Sequence, residues 1–237
     1  MTAPLFRDDA YLRTCEASVV DVNDRGGIVL DRTVFYATSG GQPGDSGFLE
    51  LDNGTRIALA TTVYEIDRAT IVHVPAEDQD VPPPGTQIVA HIDWARRYRL
   101  MRMHSALHII CAAVETQITG CQIGPDESRI DLNMPEPPDR EALAAKIGEA
   151  ISADYPITTE WITDAELDAN PGLVKSMSVS PPRGSGRVRL VRIGEDFDLQ
   201  PCGGTHVTTT GEIGQIAITK VENKGKQNRR VRLRLVD

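Results

Sequence analysis

"RRYRLMRMHSALHIICAAVETQI", residues 96–118, governs how everything around it is read. The stretch holds no glycine or proline, and beyond residue 100 it is apolar on almost every side. An uninterrupted apolar run of this length without a polar face describes a helix enclosed in a core, not one lying on a surface. Two histidines break the pattern. His104 and His108 stand at i and i+4, so both imidazoles leave one helical face with Cβ atoms roughly 5–6 Å apart. Two buried imidazoles side by side are costly unless each finds a partner. A shared metal ion is one such partner; satisfied core histidines are the plainer alternative.

A second pair lies far downstream. "LQPCGGTHV", residues 199–207, sets the thiol of Cys202 and the imidazole of His206 around a Gly-Gly-Thr bend. Either pair alone is a weak signal, since C-x3-H is also compatible with a tight turn. Together they use three of the five histidines and offer a mixed sulfur and nitrogen donor set, for which zinc is the first choice. Cys111, three residues beyond His108, is a reserve ligand or an inert core thiol. His73 and His91 sit in strand-like runs with no partner at ligand spacing, and read as structural.

Before the long helix the chain is β-rich. "ASVVDVND", "IVLD", "TRIALATTVYEI", "ATIVHVP" and "TQIVAHIDW" are strand-like runs separated by Gly, Asp-Asn-Gly and Pro punctuation. After it, a second helix is expected over 139–153, capped by Asp139, with Leu143, Ile147 and Ile151 inward. A short third helix starts at Thr163, where "TDAE" matches a capping box with Glu166, and stops near Pro171. The runs "RVRLVRIG", "FDLQP", "GQIAITKVEN" and "RRVRLRLV" alternate like antiparallel strands. The expected class is α+β. A small barrel-like N-terminal domain (1–92) precedes an α+β domain (93–237) whose buried helix packs on an antiparallel sheet.

The chain of 237 residues carries a net charge of −9, unevenly spread. Residues 1–90 hold 6 basic and 14 acidic side chains, whereas 218–237 hold 7 basic and 2 acidic ones. Arg96, Arg97, Arg99 and Arg102 form a further basic cluster. This asymmetry fits a polyanion docked on one face and equally a solvated basic strand. No apolar run approaches the ~18 residues of a membrane span. The N-terminus lacks the apolar region of a signal peptide, and four scattered cysteines do not form a disulfide framework. A cytoplasmic protein with reduced thiols is expected, and no membrane or protein partner is indicated.

"MHSALH" followed about a hundred residues later by "PCGGTHV" resembles the editing domain of alanyl-tRNA synthetases and its free-standing relatives, the AlaX proteins. The related domain of threonyl-tRNA synthetases carries the same two pairs. "FYATSGGQPGDSG" (35–47) is similar to the glycine-rich motif of the medium-sized AlaX class. "IDWARRYRLMRMHSALH" (92–108) and "RLVRIGEDFDLQPCGGTHVTTTGEIGQIAITKVENKGKQNRR" (189–230) resemble the family's helix entry and C-terminal signature. The resemblance covers nearly the whole chain. It implies hydrolysis of mischarged tRNA(Ala), chiefly Ser-tRNA(Ala) with Gly-tRNA(Ala) as a second candidate. It also implies one zinc ion held at His104, His108, Cys202 and His206. The chain has no room for aminoacylation machinery, so an editor acting in trans is expected.

The chemistry suits that role. A small pocket poorly rejects an analogue that adds a hydroxyl and cannot exclude a smaller one, so a second hydrolytic sieve is required. Thr205 and Gln122 are candidates for reading the serine hydroxyl. The backbone of Gly40, Gly41 and Gln42 is a candidate for approaching the substrate or the acceptor end, or is simply a tight turn. Lys224, Lys226, Arg229 and Arg230 are candidates for phosphate contacts. The zinc would activate a water or orient the substrate, and no protein base is assigned. Two other readings stand beside this one. Four ligands suit a structural zinc in a non-catalytic tRNA-binding module. Another zinc hydrolase is possible in principle, but the helix lacks the glutamate of H-E-x-x-H.

Overall fold

Six strands before the long helix close into a barrel. They are β1 (Thr14–Val22), β2 (Ile28–Leu30), β3 (Gly47–Leu51), β4 (Arg56–Tyr64), β5 (Ile71–Pro75) and β6 (Gln87–Ile92), in the order β1-β2-β5-β4-β3-β6. The computed structural model describes residues 2–177 and 186–236. Period-two alternation selects the interior: Ile57 and Leu59 of β4 and Ile88, Ala90 and Ile92 of β6 are buried, while Arg56, Ala58 and Ala60 face out. Closure leaves no unpaired edge. The described residues form two compact units, 1–98 and 99–237.

Strand β3 was not foreseen, because it begins inside the glycine-rich stretch. Glycine there serves close packing. A Cβ on Gly44 would lie 1.8 Å from the carbonyl oxygen of Thr62, far inside any allowed contact. Gly40 and Gly41 take φ of +56° and +87° between Ser39 and Gln42, whose backbones bond to each other. Two successive left-handed residues are what a primed turn requires.

The helix α1 runs Trp94–Val114, and its first turn explains why the unit boundary falls after residue 98 and not at 92. Arg97 is fully buried and donates from Nε to both carboxylate oxygens of Asp45 at 3.0 and 2.9 Å. Its Nη groups reach the carbonyls of Val34 and Ala10 at 2.7 and 3.0 Å. Arg96 donates to the carbonyl of Gly44 at 2.8 Å. The helix end was expected at residue 118, but Glu115 turns left-handed with φ +49° and stops it.

In the second unit, β7 (Ile118–Gln122) and β8 (Ser128–Leu132) join β12 (Ile216–Gly225) and β13 (Asn228–Leu235) in one antiparallel sheet, ordered β12-β13-β8-β7. A separate antiparallel sheet orders β9 (Ile157–Thr163), β10 (Arg187–Ile193) and β11 (Asp198–Pro201) consecutively. Helix α2 (Arg140–Ser152) is capped by Asp139, which accepts from the Ala142 amide at 2.8 Å. It buries Leu143, Ile147 and Ala150, with Ile151 only half-buried. At 100° per residue i+7 stays on the stripe while i+8 drifts off it. Helix α3 (Asp164–Ala169) has the reciprocal Thr163–Glu166 capping box. Among the described residues no helix is long and apolar enough to cross a membrane.

Candidate metal centre

Residues 100, 101, 103 to 111 of α1 are all buried, so the two histidines have no route to bulk water along most of the helix. His104 and His108 keep only 6% exposure each, and their ring centroids are 5.2 Å apart. The loop after β11 meets them from the opposite side. His206, 5% exposed, places its ring 4.2 Å from that of His104 and 4.5 Å from that of His108. The Cys202 sulfur lies 3.5 Å from His104 Nε2 and 3.3 Å from His206 Nε2. One donor atom from each of the four residues falls within 4.8 Å of every other.

These spacings fit a tetrahedral zinc. Bonds of about 2.3 Å to sulfur and 2.0–2.1 Å to nitrogen at the tetrahedral angle put S and N roughly 3.6 Å apart. The observed 3.3 and 3.5 Å are close to that edge. The ionisation of Cys202 and His206 agrees. Burial raises the Cys202 thiol, but His104 and His206 outweigh it and hold the thiol well below its ordinary value. Burial, reinforced by the charge at His104, pushes His206 well below its ordinary value. For His108 burial acts downward, yet the neighbouring Asp198 carboxylate and Cys202 sulfur carry it up to about 9, so an ion must displace its proton to bind there. The Cys202 thiolate and the neutral His206 ring are the protonation states metal ligands need.

Local bonds hold each donor. Arg189 on β10 donates from Nη1 to the carbonyls of Cys202 and Gly204 at 2.9 and 3.0 Å, fixing the bend. The Ser105 hydroxyl lies 3.1 Å from His206 Nδ1 and accepts from the Val207 amide at 3.3 Å. That contact directs Nε2 of His206 toward the sulfur. Behind His108 sits Asp198, its Oδ2 3.4 Å from Nδ1. Ser105, Arg189 and Asp198 were not singled out from sequence. The signal for Asp198 was present: "DLQP" places polar Asp198 and Gln200 two apart, and both are buried.

The other expected residues are placed as follows. Cys111 lies outside the donor cluster, and burial carries its thiol up to about 11, an inert core group. Among the described residues the four cysteines form no disulfide. His73 is enclosed in the barrel unit against the Thr33 hydroxyl and Ile28 carbonyl, and His91 stacks on Phe48 at 4.5 Å. Thr205 is fully buried within the bend. Gln122 is exposed on β7 and accepts from Arg129 at 3.1 Å. Gly40 and Gly41 are exposed at their turn and Gln42 is buried, all in the first unit.

The basic clusters carry less open charge than the sequence suggests. Arg99 and Arg102 donate to the carbonyls of Pro125 and Ile213 at 2.9 and 2.8 Å. Arg229 is buried, its guanidinium bonded to Asn223 and to the carbonyls of Gly225, Asn228 and Pro135. Arg230 grips Asp131 through two bonds of 2.7 and 2.9 Å. Lys220 and Arg232 pair with Glu222, and Arg232 also with Glu127. The expectation that Arg229 and Arg230 lie open to phosphates is corrected to this extent. Lys224, near the end of β12, and Lys226, on the turn that follows, remain exposed.

Residues 188–232 match the family described as threonyl and alanyl tRNA synthetase second additional domain. Residues 11–96 match the family described as tRNA synthetases class II (A). The chain is 37% identical to an alanyl-tRNA editing protein AlaX-M of Methanosarcina acetivorans, over the full length of both. It is 34% identical to a protein of the same name from Saccharolobus solfataricus, covering 98% of each. An alanine–tRNA ligase of Pyrobaculum arsenaticum is 36% identical over 93% of this chain. The chain spans only 25% of that ligase's length.

Proposed function

Because this chain belongs to the AlaX family of alanyl-tRNA editing proteins, we propose that it is a zinc-dependent deacylase acting in trans. Its substrates are mischarged tRNA(Ala), chiefly Ser-tRNA(Ala) and secondarily Gly-tRNA(Ala), in the cytoplasm. The convergence of His104, His108, Cys202 and His206 supports this reading above any other observation. When bound, a zinc ion would supply Lewis acidity, toward either a water or the substrate's amino group. The chain's own residues do the rest. The buried helix and the Arg189-braced bend fix the donors before substrate arrives, which keeps the site preorganised. Gln122 is the exposed amide proposed to read the serine hydroxyl, with Thr205 shaping the bend beneath. Gly40, Gly41 and Gln42 remain proposed for the acceptor end, and Lys224 and Lys226 for its phosphates.

The donor count favours a second reading, in which four protein ligands close the ion and the protein only binds tRNA. One assay separates the two. Purified protein is incubated with Ser-, Gly- and Ala-tRNA(Ala), with and without chelator. Loss of the seryl ester but not the alanyl ester, abolished in His104→Ala, is expected. Decay of all three esters at the buffer rate would remove the editing function and leave the binding module.

A further inference from the structure

The most telling unassigned feature is a carboxylate with no access to water. The Asp198 side chain has 0% exposure, and a lone buried carboxylate costs several kcal/mol, on the order of a domain's net stability, unless it is paired. Three groups among the described residues meet it. Lys175 Nζ donates to Oδ1. Gln200 Nε2 donates to Oδ2 at 2.7 Å. The third, His108 Nδ1, lies 3.4 Å from Oδ2. Among the described residues this ring nitrogen makes no hydrogen bond of ordinary geometry, so the carboxylate is the group that stands to receive its proton.

We propose that Asp198 is a positioning residue for the metal: it accepts the Nδ1 proton of His108 and so presents Nε2, with full donor strength, to the ion. The inference rests on the zinc reading above. Several placements carry it. Asp198 opens β11, and the same short strand leads into Cys202, so one segment supplies both a ligand and the brace for another ligand. Asp198 and Gln200 share the buried face of β11 at 4% and 6% exposure, where a plain core strand would carry aliphatic groups. Lys175 and Gln200 occupy separate oxygens, which fixes the carboxylate plane. His206, by contrast, has the neutral Ser105 hydroxyl behind its Nδ1. Of these two imidazoles His108 is therefore the stronger donor, since a carboxylate behind a ligating histidine raises its basicity and fixes its tautomer.

The test uses the full chain in three forms: wild type, Asp198→Asn and Lys175→Met. Zinc affinity is measured by competition with a chromogenic chelator, and cobalt-substituted samples give ligand-field spectra. Asp198→Asn is expected to weaken zinc binding ~10–100-fold and to shift the cobalt bands. Lys175→Met, which disturbs the same network but spares the carboxylate, is expected to change affinity far less. Equal zinc affinity and identical cobalt spectra in wild type and Asp198→Asn would overturn the proposal while leaving the zinc site intact. Wild type that binds no zinc would overturn the zinc reading and this one with it. Should Asp198→Asn fail to fold, nitrogen-resolved NMR of the zinc-loaded wild type decides. A slowly exchanging Nδ1 proton on His108 is expected, and metal bound through Nδ1 would sink the idea.

Discussion

Asp45→Asn removes one charge from a pair that water does not reach, because the Arg97 and Asp45 side chains are 0% and 1% exposed. The carboxylate accepts from Arg97 Nε at 3.0 and 2.9 Å and from the Tyr36 amide at 2.6 Å. Asparagine keeps one acceptor oxygen but leaves a buried guanidinium uncompensated. Breaking a buried pair on one side costs ~3–5 kcal/mol, and the retained acceptor places the expected loss near ~3 kcal/mol. The assay is urea unfolding followed by tryptophan fluorescence, since Trp94 sits where α1 leaves the barrel. With a slope of ~2 kcal/mol/M the midpoint for the first unit should fall by ~1.5 M. The double variant Asp45→Leu/Arg97→Met should recover much of that loss, because an apolar pair of similar size is often neutral. A single-variant loss under ~1 kcal/mol would show that the pair is not the clasp that joins the glycine-rich stretch to the helix.

The barrel should also respond to acid through His73. Burial pushes its pKa down to about 4, with the bond to the Ile28 carbonyl offsetting only part of this. The unfolded imidazole takes its proton near pH ~6.5, so between these values the unfolded chain binds more protons. Stability is thus unaffected by His73 above pH ~6.5 and falls toward pH ~4, by ~3 kcal/mol in total. Histidine NMR should show this ring neutral down to pH ~5; titration near pH ~6.5 would contradict the assignment. Replacing Lys224 and Lys226 with alanine should weaken tRNA(Ala) binding and lower the salt slope by ~1–2, with little change in melting temperature. An unchanged slope would place the phosphate contacts elsewhere.

What the sequence made legible follows the strength of local signals. The i, i+4 histidine pair, the C-x3-H bend, the Thr163 capping box and the alternation of "TRIALATTVYEI" each depend on residues close in sequence, and each element formed. The short strands Ile118–Gln122, Ser128–Leu132 and Gly47–Leu51 escaped notice because they are set by pairing with distant partners, not by their own pattern. Charge misled for a related reason. Arg97 sits in a run that reads as a basic patch, yet its partner Asp45 is 52 positions away. Arg229 and Arg230 read as an open tail, whereas Asp131 and Pro135 occupy them from far upstream. Support for a ligand is a matter of facing atoms: nothing local announces Ser105, and for Asp198 the one hint is the polar pair Asp198 and Gln200 on one face of a short strand.

X-ray absorption at the zinc edge, on protein purified without chelator, bears on the whole reading at once. The expected spectrum has one sulfur at ~2.3 Å and three nitrogens at ~2.0–2.1 Å per zinc, with the sulfur shell lost in Cys202→Ala. A shell of nitrogen and oxygen alone, or zinc well below ~0.5 per chain, would show that the four side chains do not share an ion.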